Sequence, residues 1–181
     1  NGDRLRDLCL TTLKQLQQDS EFAKLSDTIS LQAWIEQHCF FPNSMVDRIV
    51  PQSTPACLLA ARDALGVDDQ IALATESFWE WVIEDKLADP HDGSVLQSVG
   101  VQVVADVQAF EDAKLRMLNA SHSALAAMGA VLGLSTIADC MGLFELRNFA
   151  HRLMTEDIAP FVHRPQLDAY RDALLERFAN P

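Results

Sequence analysis

The stretch that decides how this chain is interpreted is Glu111-Asp112-Ala113-Lys114-Leu115-Arg116-Met117-Leu118-Asn119-Ala120-Ser121-His122-Ser123. Its apolar residues recur at helical spacing, and the same spacing continues through Leu125 and Met128. This periodicity predicts one helix from about Ala109 to Leu132. Lysine, asparagine and histidine side chains interrupt an otherwise apolar and small-residue pattern, so polar and apolar faces are not cleanly separated.

Four polar side chains of this helix share one side of it. On an ideal helix with Glu111 at zero, Lys114 lies at about 300°, Asn119 at about 80° and His122 at about 20°. A lysine withdrawn from water can accept a proton near neutral pH. An amide can donate to a developing alkoxide or carbonyl oxygen, and an imidazole can hold a hydroxyl group. Alcohol oxidation by hydride transfer needs those roles: a base, an oxygen donor and an orienting group.

The distance along the helix leaves alternatives open. Lys114 and His122 are separated by a rise of about 12 Å on an ideal helix. The groups converge only if the lysine stem reaches forward, if an extended substrate lies along the helix, or if the helix breaks near residues 119–121. The alternative is an amphipathic helix that carries three unrelated polar residues, because a Lys-x4-Asn-x2-His pattern arises easily by chance.

The segment Lys114-Leu-Arg-Met-Leu-Asn-Ala-Ser-His122-Ser resembles the signature helix of the polyol-specific long-chain dehydrogenases. That family includes mannitol dehydrogenases, fructuronate (mannonate) reductases and tagaturonate reductases. Four other segments match the family in the expected order, so the resemblance covers nearly the whole chain. They are Phe41-Pro-Asn-Ser-Met-Val-Asp-Arg-Ile49, Trp81-Val-Ile-Glu-Asp85, Gly100-Val-Gln-Val-Val104 and Arg177-Phe-Ala-Asn-Pro181.

The resemblance implies a role for each residue of the signature helix. Lys114 is the expected general base in oxidation and the acid in reduction, and Asn119 is expected to stabilise the oxygen of the reacting carbon. His122 is expected to bind and orient the substrate, together with Asn119. Glu111, one turn before Lys114, is expected to relay the proton to solvent.

Two residues outside this helix are also implicated by the resemblance. The run from Phe41 to Ile49 lies near the active site in the family, so Asn43 and Asp47 are expected to shape the substrate site. The residue-level alternative is a strand and loop with a surface ion pair between Asp47 and Arg48. Asn1 is a further candidate, as a second amide on the substrate oxygen.

The resemblance also implies a fold and a domain organisation. Family members have a Rossmann domain for NAD(P) followed by a mostly helical substrate domain. Residues 1–181 are expected to form part of that second domain only, since GxGxxG is absent from the sequence. The expected fold is mainly α, of the helical C-terminal type of 6-phosphogluconate-dehydrogenase-like enzymes, with a small antiparallel β element. Its partner would be its own N-terminal Rossmann domain, and the 181 residues alone are expected to be inactive.

Composition narrows the function classes. The formal net charge of −12 disfavours sequence-independent affinity for nucleic acid or anionic membranes. No run of eighteen apolar residues and no signal peptide are present. The four cysteines have no CxxC spacing and are interpreted as reduced thiols of a cytoplasmic protein. His38 and Cys39 are adjacent rather than spaced as ligands, so no metal site is expected.

The remaining elements follow from caps and periodicity. Helices are expected from Asn1 to about Gln18, from a Ser30 cap to His38, and from Thr54-Pro55 to Gly66. Two short strands within residues 71–85 are expected to pair with Val101–Val104, with Trp79 and Trp81 in the core. Residues 86–98 are expected to form a polar loop with His91 exposed. Later helices are expected after a Ser135 or Thr136 cap, from Leu143 to Val162, and from Gln166 to Phe178.

The sequence alone leaves the function partly open. An NAD(P)-dependent, zinc-independent oxidoreductase acting on a sugar alcohol or an aldonate is the main interpretation. A non-catalytic helical interaction module is the alternative. The residues do not choose between mannitol, mannonate and related substrates, or between NAD and NADP.

Overall fold

The structure is a computed structural model that describes residues 1–19 and 28–180, with only the backbone described for residues 28–30. These residues form two compact units, Asn1–Asp106 and a second unit that begins at Val107. The boundary between the two units lies at position 106/107, and the prediction that residues 1–181 belong to one substrate domain stays a prediction.

The helices of the first unit begin where capping residues satisfy their free N–H groups. Helix α1 spans Gly2–Leu16, and the Asn1 side chain accepts a hydrogen bond from the Arg4 N–H at 3.1 Å. Helix α3 spans Pro55–Leu65 between the Thr54 cap and a left-handed Gly66, as predicted. Helix α2 spans Thr28–His38, so the expected cap at Ser30 is wrong, because Ser30 lies inside the first turn.

A small sheet joins distant parts of the first unit. Strand β2 (Glu80–Glu84) lies between β1 (Ser44–Asp47), with which it is antiparallel, and β3 (Gln102–Val104), with which it is parallel. The sheet is therefore mixed rather than wholly antiparallel. Its central strand is almost fully buried, and Val82 is its most buried residue.

Two expectations for the first unit are wrong. Residues 71–76 form no strand, because Ile71 and Leu73 point into solvent and only Ala72 between them is buried. Trp79, expected in the core, is 45% exposed and lies against Gly100. Trp81 is half-buried and donates to the Ser44 hydroxyl at 3.0 Å.

The expected polar loop over residues 86–98 contains a helix. Helix α4 spans Pro90–Ser98, and its N-cap Asp89 accepts from the His91 N–H. An aspartate cap followed by proline in the first turn indicates the start of a helix. Gly93 and Ser94, which are typical of loops, obscured that signal. Gly93 is buried, and His91 is exposed as predicted.

The second unit is helical throughout its regular structure. Helix α5 spans Gln108–Ala113, a π-helical segment π1 spans Lys114–Ala120, and α6 spans Ser121–Leu132, ending at the left-handed Gly133. Helix α7 spans Ile137–Gly142 behind a capping box between Thr136 and Asp139. Helix α8 (Phe144–Arg152), a second π segment π2 (Leu153–Ile158) and a 3-10 turn (Ala159–Phe161) follow, and α9 is Leu167–Phe178.

A single buried cluster holds the second unit together. Met117 from π1, Met154 from π2 and Leu174 from α9 are fully buried in it. Because both π segments contribute to this cluster, packing fixes their rotation about the helix axis. The side chains on their outer faces are therefore held in defined positions.

Candidate active site

The candidate residues lie on one continuous helical run from Gln108 to Leu132. Lys114 is the first residue of π1, and Asn119 is its last residue but one. On an α-helix these two side chains would stand about 140° apart. A π-helix bonds residue i to i+5 rather than i+4, so residues five apart lie nearer to one face. The π segment thus turns Asn119 toward the side of Lys114.

A break in the helix near residues 119–121 was one way in which Lys114, Asn119 and His122 could be brought together. The helical run changes its geometry at that point. It returns from π to α at Ser121, directly after Asn119-Ala120, without leaving helical backbone. π segments make up well under one per cent of residues in globular proteins and are frequent at functional sites. Their presence at this point supports a specific geometry for Lys114 and Asn119 over a regular amphipathic helix.

Lys114 and Glu111 lie on the half-buried side of the run. The Lys114 backbone N–H donates to the carbonyl oxygens of Glu111 and Phe110, which ties the start of π1 to α5. Phe110, just before Glu111, and Ala113, just before Lys114, are buried. Glu111 is therefore one turn from Lys114 on an ordered helix, at the position expected of a relay.

Asn119 lines a cavity of about 430 Å³ in the second unit. One wall comes from π1 and the first turn of α6, and the other comes from π2 and the 3-10 turn. The lining residues are Leu115, Arg116, Asn119, Ala120, Ser123, Asp157, Ile158 and Phe161. Lys114 and His122 are not among them. Of these three polar side chains, only that of Asn119 lines the cavity.

His122 is exposed one residue into α6. Its imidazole meets the edge of the Phe178 ring, with centroids 5.8 Å apart and an interplanar angle of 70°. An edge-to-face contact of this kind restrains the orientation of the imidazole ring while its nitrogens stay available. His122 therefore contacts Phe178 and does not line the cavity of Asn119.

Asn43 and Asp47 belong to the first unit, on and beside β1. Both amide atoms of Asn43 are engaged by α1: Oδ1 accepts from the Asp3 N–H at 3.2 Å, and Nδ2 donates to the Asp3 carboxylate at 2.7 Å. Asn43 thus fastens α1 to the sheet. Asp47 is buried and lies opposite Glu80 in the β1–β2 ladder. Asn1, the further amide candidate, is exposed and caps α1.

A buried carboxylate completes this fastening. The Glu84 carboxylate accepts from the Asn43 backbone N–H at 3.0 Å and forms an ion pair with Lys86 at 2.8 Å. Burial alone would raise the pKa of Glu84, but the hydrogen bonds from Lys86 and Asn43 outweigh it and hold the pKa below the ordinary value of 4.5. Glu84 is therefore charged at neutral pH, and it is a structural charge in the first unit.

Three structural features around Asn119 were not predicted from the sequence. Arg116 donates through Nη1 to the Phe161 carbonyl at 3.3 Å and so spans the two walls of the cavity. Asp157 stands on the opposite wall. Ser121 is fully buried, and its hydroxyl has no hydrogen-bond partner in the described part of the chain. The second wall lies about forty residues further along the chain, so no local pattern could have indicated it.

Among residues 1–19 and 28–180, no group of three or more His, Cys, Asp or Glu side chains is placed to hold a metal ion. No helix within those same ranges is both long and apolar enough to cross a membrane.

The chain matches two family models. Residues 11–92 match the mannitol dehydrogenase Rossmann domain, and residues 106–181 match the mannitol dehydrogenase C-terminal domain. The gap between the matches, from 93 to 105, ends next to the boundary between the two structural units. A lysine, an amide and an imidazole on one irregular helix therefore lie in the part that matches the C-terminal domain.

Individual relatives agree with these matches. The chain is 47% identical over 154 residues to D-mannonate oxidoreductase of Escherichia coli (strain K12), covering 83% of this chain and 31% of that protein. It is 42% identical over 166 residues to mannitol 2-dehydrogenase of Pyricularia oryzae, covering 88% and 32%. A solved Pseudomonas fluorescens mannitol 2-dehydrogenase, in a ternary complex with NAD and D-mannitol, superimposes with a TM-score of 0.71 at 34% identity, covering 88% and 32%.

These similarities all point to one protein family. The chain belongs to the mannitol dehydrogenase family. It spans about a third of the length of the curated relatives that it matches.

Proposed function

We propose that these 181 residues carry the proton-transfer and substrate-binding groups of an NAD(P)-dependent oxidoreductase. The reaction interconverts a sugar alcohol or an aldonate with the corresponding ketose or keto-acid. The observation that carries this proposal is the helical run from Gln108 to Leu132, whose π segment begins at Lys114 and ends one residue after Asn119. Family membership and the name of the E. coli relative support the substrate class.

Each group of the run has a defined task in this proposal. Lys114 accepts the hydroxyl proton in oxidation and returns it in reduction, and Glu111 passes that proton to solvent. Asn119 donates its amide to the oxygen of the reacting carbon, where charge develops. His122, restrained by Phe178, orients the substrate. The resemblance supports Asn43 and Asp47 as further site residues, and within the first unit Asp3 occupies the Asn43 amide.

The cofactor of this proposal is NAD or NADP, and no metal takes part. A bound nicotinamide supplies the hydride acceptor, and this chain supplies the proton half of the reaction. The donor set fits that division, because lysine, amide and imidazole side chains bind hydroxyl groups and exchange protons but cannot accept a hydride. A related solved structure that holds NAD supports the choice of cofactor.

The two family matches support a division of labour within the chain. We propose that residues 106–181 are part of the family's substrate domain and that the signature helix is its first long element. The match of residues 11–92 to the Rossmann description supports a second proposal, that the first unit lies on the nucleotide side of the enzyme. Sequence analysis expected the whole chain to belong to the substrate domain, and this second proposal differs from that expectation.

The test is a substrate and cofactor panel with the gene product that contains these 181 residues. Mannitol, arabinitol, sorbitol, mannonate and their ketone partners are each assayed with NAD(H) and NADP(H) by nicotinamide absorbance. We expect turnover of at least one pair. Lys114→Ala is expected to lower kcat by about 10²- to 10⁴-fold, the usual contribution of a general base. Lys14→Ala, an exposed lysine on α1, is the matched control. Turnover that survives Lys114→Ala would remove the assigned base.

A further inference from the structure

The cavity beside Asn119 carries charged groups to which the proposed reaction assigns no role. Arg116 and Asp157 are the charged residues among its lining side chains, and they come from the two different walls. The other lining residues include Leu115, Ile158 and Phe161, so the floor is largely apolar. A mostly apolar cavity with a few placed polar groups is the usual form of a small-molecule site.

Arg116 is held in place before any ligand arrives. Its Nη1 donates to the Phe161 carbonyl at 3.3 Å, across the cavity from its own helix. The contact uses one of the five guanidinium N–H donors, and in the described part of the chain it is the hydrogen bond that fixes this side chain. A guanidinium fixed in this way keeps donors for a planar carboxylate, which it binds with two parallel hydrogen bonds.

Resting on the proposed function, we propose that Arg116 binds the carboxylate of a sugar acid whose reacting carbon is held at Asn119. Arg116 is thereby a specificity-determining residue that favours aldonates and their keto-acids over neutral polyols. Arg116 and Asn119 are three residues apart in π1, and both side chains line the same cavity. One six-carbon acid in that cavity can therefore meet both side chains, with its carboxylate at Arg116 and a hydroxyl-bearing carbon at Asn119.

Arg116 is the cationic side chain that this cavity offers to an anion. The chain as a whole carries a formal charge of −12, which repels an anionic substrate unless a local cation offsets it. Asp157, on the opposite wall, is suited to accept hydrogen bonds from the hydroxyl groups of the same substrate. The carboxylate end of the substrate is then directed to the Arg116 side, and the hydroxylated chain to the other.

The decisive measurement is the ratio of kcat/KM for D-mannonate to kcat/KM for D-mannitol, in the gene product that contains these residues. Arg116→Gln keeps a polar side chain of similar reach without the charge. We expect it to lower this ratio by about 10- to 100-fold, the range that corresponds to one hydrogen bond to a charged group. Arg116→Lys should recover part of the ratio. The KM for D-mannonate should rise with salt in the unchanged enzyme and much less in Arg116→Gln.

Two controls make the outcome decisive. Asp157→Asn removes the opposite charge from the same cavity and should leave the ratio unchanged or raise it. Arg147→Gln removes an arginine that also donates to a backbone carbonyl, that of Met141 at 2.9 Å. Arg147 lies outside this cavity. Equal losses on both substrates in Arg116→Gln, or a fall of the ratio in Asp157→Asn, would overturn the inference and leave the proposed function standing. Absence of turnover with every polyol and acid would overturn both.

Discussion

Asn119 and His122 are three residues apart on one helix but have different surroundings. Asn119 lines a cavity with Arg116 and Asp157, whereas the His122 ring lies against Phe178. The candidate roles of both residues and the helix that carries them were predicted from the sequence, because these predictions depend on local spacing. Their surroundings were not predicted, because Asp157 and Phe178 are brought in by packing of distant helices.

This difference predicts different kinetics for the two variants. Asn119→Ala should lower kcat by about 10²- to 10³-fold with a smaller change in KM, because a donor aimed at the reacting oxygen acts most where charge develops. Asn148→Ala, an exposed amide on α8, is the matched control. If Asn119→Ala changed KM alone, Asn119 would be a binding residue, and the oxygen donor would have to lie elsewhere.

His122→Ala should instead raise KM by up to about 10-fold with kcat nearly retained, since an orienting hydrogen bond is lost. The effect should be larger for longer polyols, which depend more on orientation along the helix. Steady-state kinetics with four-, five- and six-carbon substrates measure it. A large loss of kcat at saturating substrate would move His122 into proton transfer.

At the scale of elements, helix boundaries were predicted correctly where the capping and turn residues were clear. The Thr54 cap, the helix ends at Gly66 and Gly133, and a helix cap at Thr136, one of the two alternatives, were all confirmed. The strand expected at residues 71–75 failed because alternation of apolar residues does not guarantee a partner strand. The π segments were not predictable, because the same apolar residues satisfy α and π geometry, and only tertiary packing selects between them.

Close packing of α6 against α7 gives a stability prediction. A methyl group added at Gly129 would stand 2.5 Å from the Cys140 sulfur, too near for both to remain in place. Gly129→Ala should therefore lower the free energy of unfolding by about 1–3 kcal/mol, the usual effect of overpacking. Gly142→Ala, with open space around the added methyl, is the control and should cause no such loss.

The same contact can be tested by rescue. Cys140→Ala removes the sulfur that the added methyl would meet, so the Gly129→Ala and Cys140→Ala effects should not add. The double variant should be more stable than the sum of the single effects, measured by urea unfolding of all four proteins. Simple additivity would mean that the close approach of Gly129 to Cys140 does not limit the packing of α6 on α7.

At the scale of the whole molecule, the mainly helical fold and the family were predicted from the sequence and confirmed. The assignment of all 181 residues to one substrate domain stays a prediction, whereas the described residues form two compact units that meet in the chain at Asp106. Apolar periodicity does not show where one compact unit ends and another begins.

The fold of the first unit depends on pH through Glu84. Its pKa is lowered from 4.5 in the folded state, so the folded state binds fewer protons than the unfolded one in this range. The stabilisation is therefore complete above about pH 4.5 and is lost as pH falls through the lowered pKa. Protonation would weaken the ion pair to Lys86 and the bond from the Asn43 N–H that anchors α1 to the sheet.

Glu84→Gln isolates this contribution. The variant should be less stable than the parent at neutral pH, because Lys86 loses its buried partner, and its melting temperature should fall less steeply below about pH 4.5. Glu156→Gln is the matched control: the hydrogen bond from Arg152 also lowers the pKa of Glu156, but that carboxylate is exposed, so its loss should hardly alter stability. Calorimetry across the acid range compares the three proteins. Parallel curves for the parent and Glu84→Gln would show that the acid sensitivity comes from other carboxylates and that the Asn43–Glu84 anchor contributes little to folding.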